Sequence, residues 1–553
     1  MDKRTIIALV IIGIIFLLWP VYMRKVVGVR SPSPEKTSEV QAPEMVQDEV
    51  RQEPAAPPSA ETRRDVAREP LSRMERAALP EEEPEYIDVE TNIYKGTLST
   101  AGGGTIVSWR LKEYLGKEGE WVELMKDTAV GNLGIMLGTR VDLSRMVFRT
   151  ALDSQWVDNG TGFRMLRFVR DFVGRSRIEK ELLLQDDSYT IEMRVRFFSM
   201  GLQDVGSAYD VIWTSGLYPT ERRIKDDTPY YEAFALQGGE LLKTKEKSTG
   251  LCEGSTQWVA VRTKYFVMAI IPETVPGNAA MLEGQKTNIT YDGETGEWKA
   301  FQARMIMPYT GLAEETGAFS VYLGPMDYTQ LKSRDVELEK MMNFGWTFIR
   351  PFSIAFFYVL QFLYGIVHNY GWAIIIFSIM IKVVLYPLTR KSFQSMRKMQ
   401  ELQPKMAALK EKYKKDPQKL NEETMKLYKQ HGVNPMGGCL PMLLQMPVLF
   451  ALFNLFRTTI MLRQASFLGG LIQDLSAPDG MIAGINVLPI LMGATMIIQQ
   501  KLSTQSPQQK MMAYFMPIFF TFLFYQFSAG LNLYYLMFNI LTIAQEILIK
   551  KHK

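Results

Sequence analysis

The chain has only two cysteines and three histidines among 553 residues. Cys252 lies in a polar region and Cys439 in an apolar one, so the two are expected on different sides of a membrane and unpaired. Neither has a partner at metal-ligand spacing, and His368, His431 and His552 are scattered. Cysteine and histidine metal chemistry is therefore disfavoured. Residues 86–325 also lack a phosphate loop and a nucleophile elbow. The run Gly102-Gly103-Gly104 has no following helix pattern and no Lys-Ser/Thr pair, so it reads as a turn or bulge. Carboxylates are scarce in the apolar segments, where a proton or ion pump would be expected to place them.

What is present is unevenly spread. The composition is 47% hydrophobic with a net charge of +4, but the apolar residues gather at the N-terminus and after about residue 350. Residues 1–25 read as an uncleaved membrane anchor, since the run after Lys3 and Arg4 leads into Met23-Arg24-Lys25 with no small-residue cleavage site. Residues 26–85 follow as a tether. The nine prolines between 31 and 85, among many Glu, Arg and Ala, leave too little apolar surface to offset chain entropy.

Residues 86–325 carry a β pattern. Ile191, Met193, Val195 and Phe197 alternate with Glu192, Arg194 and Arg196, as in a half-buried strand. The stretch 258–271 reads as another strand, ended by Pro272, and Asp292-Gly293 marks a hairpin. Many short strands imply an all-β sandwich of roughly 240 residues.

Residues 326–370 read as amphipathic or interfacial helices: one at 327–343, then an apolar run at 352–367 with Gln361 inside it. Sixteen residues fall short of the roughly twenty that a spanning helix needs. Five longer segments follow at about 371–389, 436–460, 487–502, 511–527 and 530–549, so six spanning helices are expected with the anchor. The insertion at 390–432 holds twelve Lys/Arg against five Asp/Glu. It and the basic C-terminus are assigned to the cytoplasm. With 352–367 lying in the interface, the β domain falls outside and both termini inside. In a bacterium the outside is the periplasm.

Lys382 stands inside the segment at 371–389. A charge at a helix centre costs roughly 2.5–3.5 kcal/mol on insertion scales. Snorkelling to the surface marked by Arg390 means a reach of roughly 12 Å along the axis. A hydrated concavity accounts for it better. Ser378, Tyr386 and Thr389 share its face by spacing, and other segments add Gln445, Asn454, Thr495, Gln499, Asn532, Tyr534, Tyr535 and Asn539. No acid is expected opposite the lysine, and Glu546 reads as solvated near the cytoplasmic end. The basic insertion reads as a helical hairpin. Met399, Leu402, Met406, Leu409 and Tyr413 form a seam in its first helix, and Leu420, Met425, Leu427 and Tyr428 return against it. Asp416-Pro417 starts the second helix, and Pro404 is expected to break the first. Such a hairpin either fixes topology or docks a partner. Over half of the 33 methionines lie after residue 325, which suits apolar partners of varied shape and equally suits core filling.

Several motifs in this region closely resemble the YidC membrane protein insertase family, which is related to insertases of mitochondria and chloroplasts. They are Tyr386-Pro387-Leu388-Thr389, Leu402-Gln403-Pro404-Lys405, Asn434-Pro435-Met436-Gly437-Gly438-Cys439-Leu440-Pro441, Gln445-Met446-Pro447, Leu488-Pro489-Ile490-Leu491-Met492-Gly493 and Gly530-Leu531-Asn532-Leu533-Tyr534-Tyr535. The resemblance covers about residues 330–550. The anchor, linker and β domain look like the Gram-negative, inner-membrane architecture with a periplasmic β-supersandwich. The resemblance implies insertion and chaperoning of nascent membrane proteins, alone or with the Sec translocon. It implies no nucleotide hydrolysis, no cofactor and no recognition of a specific nucleic acid sequence. A five-helix bundle would enclose a hydrophilic groove open to the cytoplasm and lipid bilayer. Lys382 would be its cation, Ser378 a polar neighbour, and Gln445, Met446, Tyr534 and Tyr535 its lining. The hairpin would dock a ribosome or targeting factors. Many relatives have arginine where this chain has Lys382, and some carry an aromatic residue at the position of Leu449. Two other readings compete with this one: a secondary transporter of a small anion, and an envelope enzyme acting on sugars.

Overall fold

The computed structural model describes residues 83–551 apart from 117–118, 127–130, 139–140, 151–155, 158–161, 173, 245–248, 292, 415, 433–439 and 504–506. The anchor at 1–25, all but three residues of the tether, and most of the motif at 434–441 lie outside the described residues. The chain divides into two compact units, Met1–Gly324 and Pro325–Lys553.

The first unit is all-β. Its described strands form a four-stranded sheet, in the order Tyr86–Glu90, Tyr94–Ser99, Thr105–Leu115, Trp121–Met125, and a fifteen-stranded sheet. The alternation read at 190–198 is borne out. Ile191, Met193, Val195 and Phe197 are fully buried in the strand Thr190–Phe198, which pairs antiparallel with Arg177–Gln185 and Glu314–Pro325. On the opposite face, Glu181 lies between Arg167 (2.8 Å) and Arg196 (3.2 Å). The strands on either side of the expected hairpin pair, Tyr291 with Glu294, and Gly293 takes φ +74°; Asp292 lies outside the described residues.

The single strand expected at 258–271 is instead two. Thr249–Arg262 turns at residues 263–265 into Phe266–Pro272, and the Thr263 N–H donates to the Phe266 carbonyl at 2.8 Å. Both strands are buried on both faces around the turn, so the apolar run continues through it without alternation. Gly102, Gly103 and Gly104 form the expected turn, all at positive φ. A Cβ on Gly104 would stand 2.4 Å from Phe168 and 2.8 Å from Leu182. Gly104 leads into a strand of the small sheet while Phe168 and Leu182 belong to the large one. The absent side chain therefore lets the two layers meet, as in a sandwich.

The second unit is helical. The expected helix at 327–343 is reduced to Tyr328–Lys332 and a short 3-10 turn at Leu338–Met341. Asp335 and Glu337 between them take positive φ, which no helix continues through. Among the described residues eight longer helices follow: α1 (Arg350–Val367), α2 (Tyr370–Glu401), α3 (Gln403–Lys412), α4 (Pro417–Gln430), α5 (Leu440–Thr458), α6 (Val487–Ser503), α7 (Pro507–Phe524) and α8 (Ala529–Lys551). α1 starts two residues earlier than its apolar run, at Arg350 and Pro351. By length and composition Arg350–Val367, Tyr370–Arg390 and Ala529–Ile549 are each sufficient to cross a bilayer. Length alone thus no longer separates an interfacial α1 from a spanning one.

α2 does not stop near residue 389. Its 32 residues extend about 48 Å, well past the roughly 30 Å hydrocarbon core. Pro387 removes one backbone donor, but the Lys, Arg, Gln and Met residues beyond it are good helix formers. The break comes at Leu402, two residues before Pro404. α2 packs against α1, α5 and α8, while α6 packs against α7 and α8. The Ser353 hydroxyl of α1 lies 2.9 Å from the Phe344 carbonyl and 3.3 Å from that of Ala451 on α5.

Candidate functional site

Lys382 is 7% exposed, between α2 and α8. Its ammonium donates to Thr542 Oγ1 at 2.8 Å and sits 4.7 Å from the Phe538 ring centroid and 6.0 Å from that of Phe393. Thr542 in turn donates to the Phe538 carbonyl at 2.7 Å. A hydroxyl oxygen and two ring faces thus partly replace the water that the ammonium would have outside.

The acid thought absent is present. Glu546, one turn after Thr542, is 6% exposed and acts electrostatically on Lys382. It is not solvated, because α2 runs on past the membrane-length segment and covers the C-terminal turns of α8. Gln545 Nε2 donates to Thr389 Oγ1 at 3.2 Å, and Arg397 Nη1 reaches the Ile549 carbonyl at 3.5 Å. Phe538, Thr542 and Glu546 were not singled out from the sequence as partners of Lys382. Their spacing of four residues, which puts one stripe of a helix toward a neighbour, is the signal that could have found them.

Ser378 and Thr389 lie buried on the Lys382 side of α2. Ser378 turns its hydroxyl to the Ile374 carbonyl at 2.7 Å, closing on its own helix. Tyr386 is 44% exposed and leaves the shared face. Tyr386 is rotated about 40° from Lys382 in one sense, whereas Ser378 (about 40°) and Thr389 (about 20°) are rotated in the other, toward the buried side.

Gln445 on α5 donates through Nε2 to the Tyr534 hydroxyl of α8 at 2.8 Å. The Tyr534 ring lies 6.0 Å from that of Phe538 and 5.4 Å from Tyr535. Gln445, Tyr534, Phe538 and Lys382 therefore form one continuous line through the bundle. Gln445 Oε1 and the Tyr535 hydroxyl are buried with no protein partner, the kind of atoms that water satisfies in a polar interior. Met446 is 37% exposed and stands apart from this line.

In the hairpin, Met399, Met406, Leu409 and Tyr413 are half-buried and Leu402 is buried. α3 and α4 pack on each other, and Lys405 Nζ lies 3.1 Å from the His431 ring. Leu420, Leu427 and Tyr428 are half-buried, but Met425 is 49% exposed. It lies about 140° around α4 from Leu420, off the seam. Among the described residues no cluster of His, Cys, Asp or Glu converges as a metal site would.

Fold and site together define a polytopic α-helical membrane protein with a large all-β domain and a lysine held inside its helical bundle. Residues 362–553 match the family model described as 60Kd inner membrane protein, and residues 86–355 match the one described as YidC periplasmic domain. The membrane protein insertase YidC of Pelodictyon phaeoclathratiforme is 35% identical, the alignment covering 100% of this chain and 95% of the relative. That of Chlorobium limicola is 35% identical over 99% of this chain and 94% of its own. A crystal structure of an active YidC insertase with its first transmembrane domain resolved matches with a TM-score of 0.38 and 20% identity, covering 85% of this chain and 93% of that one. The chain belongs to the YidC membrane protein insertase family. It is an integral inner-membrane protein whose β domain is periplasmic.

Proposed function

We propose that the protein inserts nascent membrane proteins into the inner membrane and assists their folding, through a hydrophilic groove whose cation is Lys382. Family membership supports the activity. The observation that carries the groove is the buried Lys382 ammonium on a line with Gln445 and Tyr534. An acidic or polar tail is drawn toward Lys382, and the apolar part of the substrate then passes along the helices into lipid. No nucleotide is consumed and no cofactor takes part. The basic hairpin of α3 and α4 receives the ribosome or a targeting factor. The Sec translocon shares part of the work.

The topology follows from two sides. The β domain is periplasmic, and the basic hairpin is assigned to the cytoplasm by charge. A single crossing must then separate them. α2 supplies it, so α1 lies in the interface despite its sufficient length. With the N-terminal anchor and the five core segments, six helices span, and both termini are cytoplasmic.

Photo-crosslinking tests this reading. A crosslinker at Lys382, Met446 or Tyr535 in the full-length protein is expected to capture nascent membrane proteins. A folded protein that yields no adduct from any of the three positions overturns it.

A further inference from the structure

α8 offers Lys382 three groups at successive turns: the Phe538 ring, the Thr542 hydroxyl and the Glu546 carboxylate. The first two touch the ammonium, at 4.7 Å and 2.8 Å. The third bears on its charge, and both Lys382 and Glu546 are more than nine-tenths buried. A buried ammonium without a counter-charge is strongly unfavourable. In this bundle the counter-charge comes from the protein's own last helix. Two more contacts flank it: Gln545 to Thr389 just before Glu546, and Arg397 to the Ile549 carbonyl just after, both holding α8 against α2. The carboxylate is therefore fixed near the lysine by packing on both sides.

We propose that Glu546 is an internal competitor for Lys382, so that a carboxylate-bearing segment engages the cation only by exchange with it. The proposal rests on the insertase reading above. It deepens that reading by making Glu546 a positioning residue that sets how strongly the groove prefers acidic tails. With Glu546 charged, Lys382 is already neutralised. A weakly acidic or neutral tail gains little there, and a carboxylate displaces Glu546 only when its other contacts favour entry. The flexible lysine stem suits such an exchange better than a planar guanidinium, which would clamp the carboxylate through two parallel bonds.

The test uses the full-length protein in proteoliposomes and two single-span substrates that differ only in tail residues, Asp in one and Asn in the other. The measured quantity is the ratio of acidic-tail to neutral-tail insertion. Glu546→Gln is expected to raise this ratio by about fivefold, a typical coupling between two groups that compete for one site. Glu546→Asp restores the charge and brings the ratio back toward wild type, which a merely structural role would not do. Lys382→Gln abolishes the preference, and adding Glu546→Gln to it changes the ratio no further. If Glu546→Gln leaves the ratio unchanged, or lowers both substrates equally, the competition is overturned. The groove reading survives that result when Lys382→Gln still removes the preference. If Lys382→Gln keeps the wild-type ratio, the groove reading itself fails.

Discussion

The ammonium of Lys382 on α2 donates to Thr542 Oγ1 on α8 at 2.8 Å, and the same hydroxyl donates to the Phe538 carbonyl one turn back. The threonine therefore has its proton committed to its own helix and its oxygen lone pair aimed at the lysine. This fixes the direction of the interaction. Residue 382 must be a donor and residue 542 an acceptor, and any change that reverses either leaves a polar group buried without a partner.

Reversal of charge at residue 382 is the first prediction. Lys382→Arg keeps both the charge and the donors, and is expected to keep insertion activity. Lys382→Glu sets a second carboxylate near Glu546 and repels an acidic tail. Insertion of acidic-tailed substrates is expected to fall at least tenfold, on the order of the cost of an uncompensated buried charge. In vivo insertion assays on depleted cells read this directly. Equal activity of the Glu variant on those substrates rejects an electrostatic role.

The second prediction concerns the bond between Gln445 and Tyr534. Tyr534→Phe removes the acceptor and strands Gln445 Nε2 in a bundle where its Oε1 already has no protein partner. A loss of about 1 kcal/mol in bundle stability is expected, in keeping with interhelical hydrogen bonds in membranes. Gln445→Leu in the same background replaces both partners with apolar groups. It is expected to cost less than the sum of the single changes. Thermal unfolding of the three variants in detergent, with the wild type beside them, measures the cycle.

Much of this was legible before the structure, where one physical signal acts alone. The period of two at 190–198 needs only one buried face, and the core residues fall on it. Lys382 announces itself because a charge in an apolar helix is expensive whatever surrounds it. The turn at residues 263–265 was hidden because strands buried on both faces lose their alternation. Glu546 was misread for a different reason. Its position near the end of α8 is local information, but its burial depends on how far α2 extends past Arg390, and that extension is set by a helix 150 residues earlier in the chain. Tyr386 shares a face with Lys382 by turn counting but lies about 40° around the helix, at the margin between core and surface, whereas Met425 lies about 140° from Leu420 and well off the seam. The pairing of Gln445 with Tyr534 joins segments whose spacing in sequence carries no trace of their contact.

The last prediction lies in the β domain and concerns a lysine that no sequence pattern marked. Lys180 is fully buried beneath the glycine turn, with its Nζ 3.3 Å from the Gly102 carbonyl and also donating to that of Leu133. Burial alone pulls its pKa from the ordinary lysine value of 10.5 down to about 7. The unfolded chain keeps the proton up to its usual pKa, while the folded domain releases it near 7. Between about 7 and 10.5 the unfolded state therefore binds one more proton, and stability rises with pH across that window. Below 7 both states are protonated, and the folded domain bears the full penalty of a buried ammonium. Lys180→Met keeps an unbranched side chain one atom shorter and removes the charge. It is expected to flatten the pH dependence between 7 and 9, even if the two carbonyls left without the lysine lower stability overall. Thermal unfolding of the full-length protein, followed by tryptophan fluorescence at pH 6 to 9, separates the two effects. The buried Trp109, Trp213 and Trp258 report on this domain. Parallel curves for the wild type and Lys180→Met mean that Lys180 does not titrate in this range, and that the two carbonyls hold it in one protonation state throughout.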